Sequence, residues 1–106
     1  MKQMAGITPA EWNMMECLWE KSPQTAREVV DVLSTRVGWS RSTILTMLRR
    51  LSEKKLIRCE DGGSVKLYYA LLDRDEAVKT ETASFVKRVY AGDHLRLMAA
   101  LQTIAE

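Results

Sequence analysis

Apolar residues near the start of the chain recur every three to four positions, which predicts an amphipathic helix. Thr8 and Glu11 have the spacing of a capping box, and Pro9 suits the first helical position. Pro23 disfavours continuation of the helix, so we expect it to end near Lys21. Its buried stripe is expected to comprise Trp12, Met15, Leu18 and Trp19.

The same helical period occurs in two further stretches that are separated by a short turn. Thr25 and Glu28 form a second capping box. Gly38 is placed to end that helix, and Ser40 is placed to cap the next one. Two short helices joined by a tight turn are typical of a helix-turn-helix. The predicted buried faces are Ala26, Val29, Val30 and Leu33 in the second helix, and Ile44, Met47, Leu48 and Leu51 in the third.

The period then changes from helical spacing to alternation in steps of two. Residues 56–60 and 65–69 alternate in this way, and Asp61-Gly62-Gly63-Ser64 lies between them. This pattern predicts a β-hairpin with a glycine-dependent loop. An isolated hairpin is marginal in water, so it must pack against the helices. The predicted fold class is therefore mainly α with a small β-hairpin, in the order of a winged helix-turn-helix.

After Leu72 the helical period returns in two stretches, which we expect to be capped by Asp73 with Glu76 and by Asp93, with Gly92 between them. We therefore predict a winged-helix domain over residues 1–72 and a helical region over 73–106. The second region is too short to enclose a core alone. It could pack back onto the first domain, but we favour pairing with a second copy, by default as a two-fold dimer. The apolar residues expected at that dimer contact are Val78, Phe85, Val86, Val89, Tyr90, Leu97, Met98, Leu101 and Ile104.

Composition narrows the class of protein. The 106 residues are 46% apolar and 28% charged, as in an ordinary globular chain. No apolar run approaches the roughly 20 residues that a membrane-spanning helix needs. Residues 1–6 lack the apolar core of a secretory signal, so we expect a cytoplasmic protein with no membrane partner. Cys17 and Cys59 have no metal-ligand spacing, and we expect both to be small buried apolar groups. No cofactor or metal is predicted.

The positive charge is concentrated in one segment. The net charge of the whole chain is only +2, but residues 36–58 contain seven basic side chains and a single acidic one, Glu53. An excess of this size is the electrostatic pattern expected for contact with a polyanion. A solvated helix face, the plainer explanation, would normally intersperse the two signs.

The side of the third helix opposite its predicted core combines hydroxyls and cations, namely Ser42, Thr43, Thr46, Arg49, Arg50 and Glu53. A helix that enters the major groove needs short hydrogen-bonding groups near base edges and longer cations towards phosphates. The amides at the start of the helix, capped by Ser40, can also meet a phosphate. Arg58 and Lys66 on the hairpin are either backbone contacts of a wing or solvated strand residues, and both interpretations stay open.

Several of these segments together resemble the penicillinase repressor family, which includes the methicillin-resistance and copper-transport repressors of bacteria. The combination is specific, although no single piece is. The resemblance spans nearly the whole chain and rests on residues 7–12 (ITPAEW), Trp19, residues 39–51 (WSRSTILTMLRRL), residues 54–57 (KKLI), Tyr68-Tyr69, Phe85, Val89-Tyr90 and Gly92.

The resemblance implies a homodimeric winged-helix repressor that binds an inverted-repeat operator in double-stranded DNA through its third helix and dimerises through its C-terminal helices. By this analogy Ser42, Thr43 and Thr46 approach the bases. Arg41, Arg50 and the wing hold the backbone. No catalytic activity is implied.

Two departures from the family pattern bear on regulation. The copper-responsive members end in a cysteine-rich metal motif that this sequence lacks. The antibiotic-responsive members are inactivated by cleavage at an Asn-Phe bond, and the corresponding stretch here, residues 97–101 (LMAAL), has no such pair. Neither copper sensing nor proteolytic induction is therefore supported. The sequence identifies no operator, regulated gene, inducing signal, sensor or protease partner.

Two alternatives to a repressor come from other classes of function. The first is a winged helix used as a protein-interaction module, whose basic helix docks on an acidic partner. The second is an enzyme, for which the sequence offers little. It has no glycine-rich phosphate loop, no metal-spaced ligand set and no Cys–His pair close in sequence.

Overall fold

The computed structural model describes residues 7–105. The chain divides there into two compact units, Ile7–Asp73 and the residues from 74 onward. Residues 1–6, on which the expectation about secretion rested, lie outside the described part. The elements are α1 (Pro9–Glu20), β1 (Gln24–Thr25), α2 (Ala26–Arg36), α3 (Arg41–Glu53), β2 (Ile57–Asp61), β3 (Lys66–Ala70), α4 (Arg74–Tyr90) and α5 (His94–Ile104).

Both predicted capping boxes are present. In α1 the amide of Glu11 donates to Oγ1 of Thr8, and the amide of Thr8 donates to Oε1 of Glu11, both at 3.0 Å. Thr25 and Glu28 exchange the same two hydrogen bonds at 3.1 and 2.8 Å at the start of α2. Each pair satisfies two backbone donors that a helix start otherwise leaves unpaired. The predicted starts of α1 and α2 are confirmed.

The first unit is built on one apolar core between α1, α2, α3 and the sheet. The predicted buried faces of α2 and α3 are confirmed at Val29 and Leu33 and at all four predicted positions of α3. The side chains that are fully buried or nearly so are Met14, Met15, Cys17, Leu18, Val29, Leu33, Ile44, Met47, Leu48, Leu51, Leu56, Ile57 and Leu72.

The prediction that Trp12 and Trp19 belong to the core was wrong. Both are only half-buried, and their rings meet edge to face with centroids 5.3 Å apart. Each indole N–H needs a polar partner. Trp12 donates to Glu16 at 3.1 Å, and Trp19 donates to the carbonyl of Leu72 at 2.8 Å. The ring edges therefore lie at the rim of the core, while Met14 and Cys17 occupy its centre beside Met15 and Leu18.

The sheet has three antiparallel strands in the order β1-β3-β2, so it contains one strand more than the sequence predicted. The hairpin strands each begin one residue later than expected, and Arg58 pairs with Tyr69. The additional strand, β1, pairs Gln24 with Tyr68 and Thr25 with Leu67. The side chain of Gln24 is buried and donates to the carbonyls of Cys17 and Lys21 at 2.8 and 2.7 Å, which fixes the short strand in place.

These elements form a winged helix, as predicted: three helices, with a hairpin made of β2 and β3 as the wing. The sheet leans on the helices through contacts of β3 with α1 and α2 and of β2 with α3. Over residues 7–105, no helix has both the length and the apolar character that crossing a membrane requires.

The second unit consists of α4 and α5, which contact each other. Gly92 has φ +87° at the turn between them, a left-handed conformation that glycine adopts without strain. The predicted cap is confirmed, because Oδ1 of Asp93 accepts the amides of Leu95 and Arg96 at 3.1 and 3.3 Å.

Many apolar side chains of this second unit face outward. Of the residues predicted to form a dimer contact, four are half-buried, namely Val78, Val86, Tyr90 and Leu97. The others are exposed, namely Phe85, Val89, Met98, Leu101 and Ile104, and Leu95 is exposed as well. We refer to these six exposed side chains as the α4–α5 apolar face.

Candidate nucleic-acid interface

The orientation of α3 follows from its cap and its core side. Oγ of Ser40 accepts the amide of Thr43 at 3.2 Å, so the helix starts where the sequence predicted. Its apolar side is held in the core of the first unit, which turns the opposite side outward. Ser42, Thr43, Arg49 and Arg50 are exposed there, and Thr46 is half-buried. The structure thus brings together the hydroxyls and cations that the sequence singled out.

Two open depressions border the outward side of α3, and Thr46 lines both of them. One is about 230 Å³ in volume and lies entirely on the helix, lined by Ser42, Thr43, Thr46, Met47 and Arg50. It places three hydroxyls beside one guanidinium group, whose Nη1 reaches the sulfur of Met47 at 4.0 Å.

The second depression lies between α3 and the hairpin and has a volume of about 390 Å³. We call it the α3–hairpin groove. Its lining residues are Leu45, Thr46, Arg49, Ser52, Cys59, Lys66 and Tyr68.

Sequence reasoning missed Leu45, Ser52, Cys59 and Tyr68 as part of this surface. Leu45 and Ser52 are seven positions apart and therefore lie on one stripe of the helix, at the edge nearest the hairpin. Leu45 falls outside both the predicted buried face and the predicted polar side of α3, because it is apolar but lies off the core stripe. The hydroxyl of Ser52 donates to the carbonyl of Leu48 at 2.9 Å.

The register of the hairpin separates its two predicted cations. Residues paired across antiparallel strands share one face of the sheet. Cys59 pairs with Tyr68, and Asp61 pairs with Lys66, so these four side chains lie on the face that lines the groove. Arg58 pairs with Tyr69 on the other face.

On that other face Arg58 is already engaged. Its guanidinium group forms an ion pair with Glu60 and lies 4.1 Å from the ring centroid of Tyr69. The phenol of Tyr69 also donates to Glu60, at 3.2 Å. Lys66, by contrast, forms no ion pair within residues 7–105. The structure therefore joins Lys66 to the surface of α3 but leaves Arg58 apart from it.

Ion pairs with other parts of the chain neutralise part of the positive charge of residues 36–58. Acids from outside that segment pair with three of its seven cations: Glu20 with Arg36, Glu11 with Lys54, and Glu60 with Arg58. Arg49 lies 3.9 Å from Glu53 in an exposed pair, which is a weak interaction. Within the described residues, Arg41, Arg50 and Lys55 form no ion pair, so the unpaired charge is concentrated on and beside α3.

Lys54 caps the C-terminus of α3 and joins it to α1. Its ammonium group donates to both carboxylate oxygens of Glu11, at 3.0 and 3.1 Å. Glu11 is only 3% exposed and also belongs to the capping box of α1. The carboxylate thus connects the start of α1 to the end of α3.

The two cysteines differ in exposure, so the expectation that both are buried was wrong for Cys59. Cys17 is fully buried, and burial raises the pKa of its thiol. Cys59 lies on the same strand face as the buried Ile57 but two residues further along the hairpin, beyond the core, and is exposed. Burial raises the pKa of the Tyr68 phenol opposite it, and the neighbouring Cys59 thiol raises it further. In the part of the chain that the structure describes, no three His, Cys, Asp or Glu side chains form a group that could hold a metal ion.

Comparison with protein families gives a match over almost the whole described chain. A family model described as penicillinase repressor covers residues 7–104. The chain belongs to the penicillinase repressor family. It is thus a member of a family of repressors and not of enzymes.

Individual relatives agree with this assignment. The chain is 34% identical over 92 residues to the penicillinase repressor of Bacillus licheniformis, a match that covers 87% of this chain and 72% of that protein. It is 28% identical over 86 residues to the methicillin resistance regulatory protein MecI of Staphylococcus aureus, covering 81% of this chain and 70% of the relative.

Two solved structures are similar to this family member in fold and sequence. One is the solution structure of the DNA-binding domain of the repressor BlaI, with a TM-score of 0.63 at 34% identity. The other is the monomeric form of Bacillus licheniformis BlaI in complex with the blaP half-operator, with a TM-score of 0.62 at 34% identity. Each similarity covers 72% of this chain and 93% of the other.

Proposed function

We propose that this protein is a sequence-specific DNA-binding transcriptional repressor that acts as a homodimer on an inverted-repeat operator, with α3 in the major groove. The observation that carries the proposal is the outward side of α3, where the hydroxyls of Ser42, Thr43 and Thr46 lie together with guanidinium groups. Within the described residues Arg50 forms no ion pair, and Arg49 forms only the weak one with Glu53. The similarity to the monomeric form of BlaI, which was solved in complex with a half-operator, supports DNA binding.

The residues of α3 divide into two roles. Ser42, Thr43 and Thr46 are short enough to reach base edges, and a threonine methyl can pack against the methyl of thymine. Arg41, Arg49 and Arg50 have the length and charge to hold phosphates on either side. The amides at the start of α3, next to Ser40, offer a further anion contact.

The two cations of the wing differ in their position relative to α3. Lys66 lies on the face of the hairpin that borders α3, so it is the wing contact that we favour. Arg58 would have to leave Glu60 and Tyr69 to reach the same DNA strand. We therefore propose no direct DNA contact for Arg58.

Dimerisation would use the α4–α5 apolar face. Its side chains Met98, Leu101 and Ile104 are 57%, 52% and 77% exposed, and a cluster of exposed apolar side chains is typical of an interaction site. A two-fold dimer would present two copies of α3 to half-sites whose centres lie about 10 bp apart, or a multiple of that distance. The residues assigned to this contact are Val78, Phe85, Val86, Val89, Tyr90, Leu97, Met98, Leu101 and Ile104.

Fluorescence anisotropy with a random-sequence duplex at several salt concentrations tests the proposal. Because phosphate contacts release counterions, the logarithm of the affinity should fall linearly with the logarithm of the salt concentration. No detectable binding at low salt would contradict a DNA-binding function. It would favour the rival interpretation, in which the basic helix docks on an acidic protein.

A further inference from the structure

We propose that the α3–hairpin groove is a clamp for one phosphate of the DNA backbone, in which Arg49 and Lys66 supply the charge and Tyr68 supplies a neutral hydrogen bond. This inference rests on the proposed DNA-binding function and specifies how the wing takes part in it. It adds Tyr68 to the contact set and excludes Arg58 from it.

The charges that line the groove favour an anion. Arg49 comes from α3 and Lys66 comes from β3, so the two cations reach the groove from different elements. The remaining lining side chains are uncharged. Two carboxylates lie nearby: Glu53 is 3.9 Å from Arg49, and Asp61 is opposite Lys66 in the strand register. Neither forms a close ion pair with its cation, so both cations can turn to a phosphate.

Tyr68 completes the clamp as a proton donor. Its side chain is half-buried on the face shared with Cys59 and Lys66. A phenol with an ordinary pKa of 10 is already protonated at neutral pH, and burial raises the pKa of Tyr68 further. It can therefore donate to a phosphate oxygen without adding a negative charge to the groove.

The position of the groove indicates a phosphate of the DNA backbone. Thr46 lines both the groove and the depression on α3, so the two are adjacent. The phosphates of a duplex run along the edges of the major groove in which a recognition helix lies. A backbone that passes beside Thr46 would reach Arg49 on one wall and Lys66 on the other.

The two cysteines provide a direct test of occupancy. Cys59 lies in the groove and is exposed, whereas Cys17 is buried in the core and serves as an internal reference. We would measure the rate of alkylation by iodoacetamide at each thiol by mass spectrometry, with and without a saturating random-sequence duplex of about 20 bp at low salt. The duplex should slow the alkylation of Cys59 several-fold, and Cys17 should stay unmodified in both samples.

Variants of the two hairpin cations provide a matched comparison. Lys66→Ala should reduce the slope of log affinity against log salt by about 1, and Arg49→Ala should do the same. Arg58→Ala removes an equal charge from the opposite face of the hairpin and should leave the slope unchanged. Tyr68→Phe should weaken binding roughly two- to tenfold without changing the slope, because a neutral hydrogen bond releases no counterion.

The possible outcomes separate this clamp from the proposed function. If the duplex binds, but Cys59 reacts at its original rate or Lys66→Ala changes the slope no more than Arg58→Ala, the clamp is wrong and DNA binding stands. If no duplex binds at all, both proposals fail. A third sample with millimolar inorganic phosphate and no DNA identifies the source of the anion. Equal protection of Cys59 there would assign the groove to a free phosphate ligand instead of DNA.

Discussion

Thr46 lies at the centre of the surface proposed to read DNA. It borders both depressions beside α3, and its hydroxyl makes no hydrogen bond within residues 7–105. An N-terminal cap cannot account for it, because it lies beyond the first turn of the helix. Arg50 borders only one of the depressions and carries a charge on a longer side chain. The two residues are therefore expected to contribute differently to the proposed binding of DNA.

Substituting these two residues should separate base reading from backbone binding. Thr46→Ala removes the hydroxyl and the methyl group that are proposed to reach a base edge, so it should relax the preference at one operator position by about 1 kcal/mol. Arg50→Ala should weaken binding to all duplexes alike. Competition between duplexes that differ at single positions measures both effects. The division of roles would be wrong if both variants lost affinity equally on every duplex.

The sequence predicted residues inside an amphipathic pattern better than residues at its edge. The four buried positions of α3 were correct because the helical period fixes the centre of a helix face. Trp12 and Cys59 were wrong because each lies where the core ends. The indole N–H keeps Trp12 at the edge of the core, and Cys59 lies two residues beyond the last buried residue of its strand. Periodicity carries no information about where the core stops.

At the scale of elements, α3 is held in place from both ends and from its core side. Ser40 caps its start, and Lys54 at its end is bound to the buried carboxylate of Glu11. A buried carboxylate is stabilised only while its partner remains, so this pair should contribute more than an exposed ion pair does.

A double-mutant cycle over Glu11→Gln and Lys54→Met should therefore give a coupling energy of about 1–2 kcal/mol. This value is lower than that of a fully buried pair, because Lys54 is partly exposed. Urea denaturation measures it. The same cycle over Glu20 and Arg36, an exposed pair with equally short hydrogen bonds, is the matched control and should give a clearly smaller coupling. Equal couplings would contradict a special role for Glu11.

The capping box of α2 should make stability depend on pH. The pKa of Glu28 is lowered from its ordinary value of 4.5, first because its carboxylate accepts the amide of Thr25 and then because it accepts a hydrogen bond from Lys21. Its contribution to stability is present above pH 4.5 and is lost as the pH falls through the lowered pKa.

Glu28→Gln should accordingly lower the Tm at neutral pH and flatten the fall of the Tm under acid conditions. Circular dichroism melts at a series of pH values measure this. Glu81→Gln, which changes an exposed carboxylate on α4, serves as the control and should follow the wild-type profile. A Glu28→Gln profile parallel to that of the wild type would show that the cap does not titrate as described.

The hairpin shows what a sequence pattern establishes for an element and what it leaves open. Alternation between residues 56 and 69 predicted two strands correctly to within one residue at each end. It could not reveal β1, because two residues are too few to show a period. That strand depends on the buried side chain of Gln24, whose partners are carbonyls of α1 and of the turn that follows it.

At the scale of the whole molecule, each compact unit exposes a surface that its own residues do not cover. The first unit, residues 7–73, has the basic and hydroxyl-bearing side of α3. The second has the α4–α5 apolar face. The sequence identified both surfaces from periodicity and charge. It could not show how far the charge is neutralised, since Glu11, Glu20 and Glu60 come from other parts of the chain.

A charge placed in the α4–α5 apolar face should separate the proposed dimer. Leu101 is 52% exposed, so Leu101→Glu should leave the chain folded and should give a monomer in sedimentation velocity. Gln102→Glu adds the same charge at the next, polar position of α5 and should sediment as the wild type does. A wild-type chain that is monomeric at micromolar concentration would contradict the dimer.

Selection of bound duplexes from a random-sequence pool tests most directly whether α3 reads DNA, and it should be carried out with the wild-type chain and with Thr46→Ala side by side. The wild type should enrich an inverted repeat whose half-site centres lie about 10 bp, or a multiple of that, apart. Thr46→Ala should enrich the same repeat with one symmetric position relaxed. Recovery of a wild-type pool with no common sequence, or of identical motifs from both proteins, would contradict base reading by the outward side of α3.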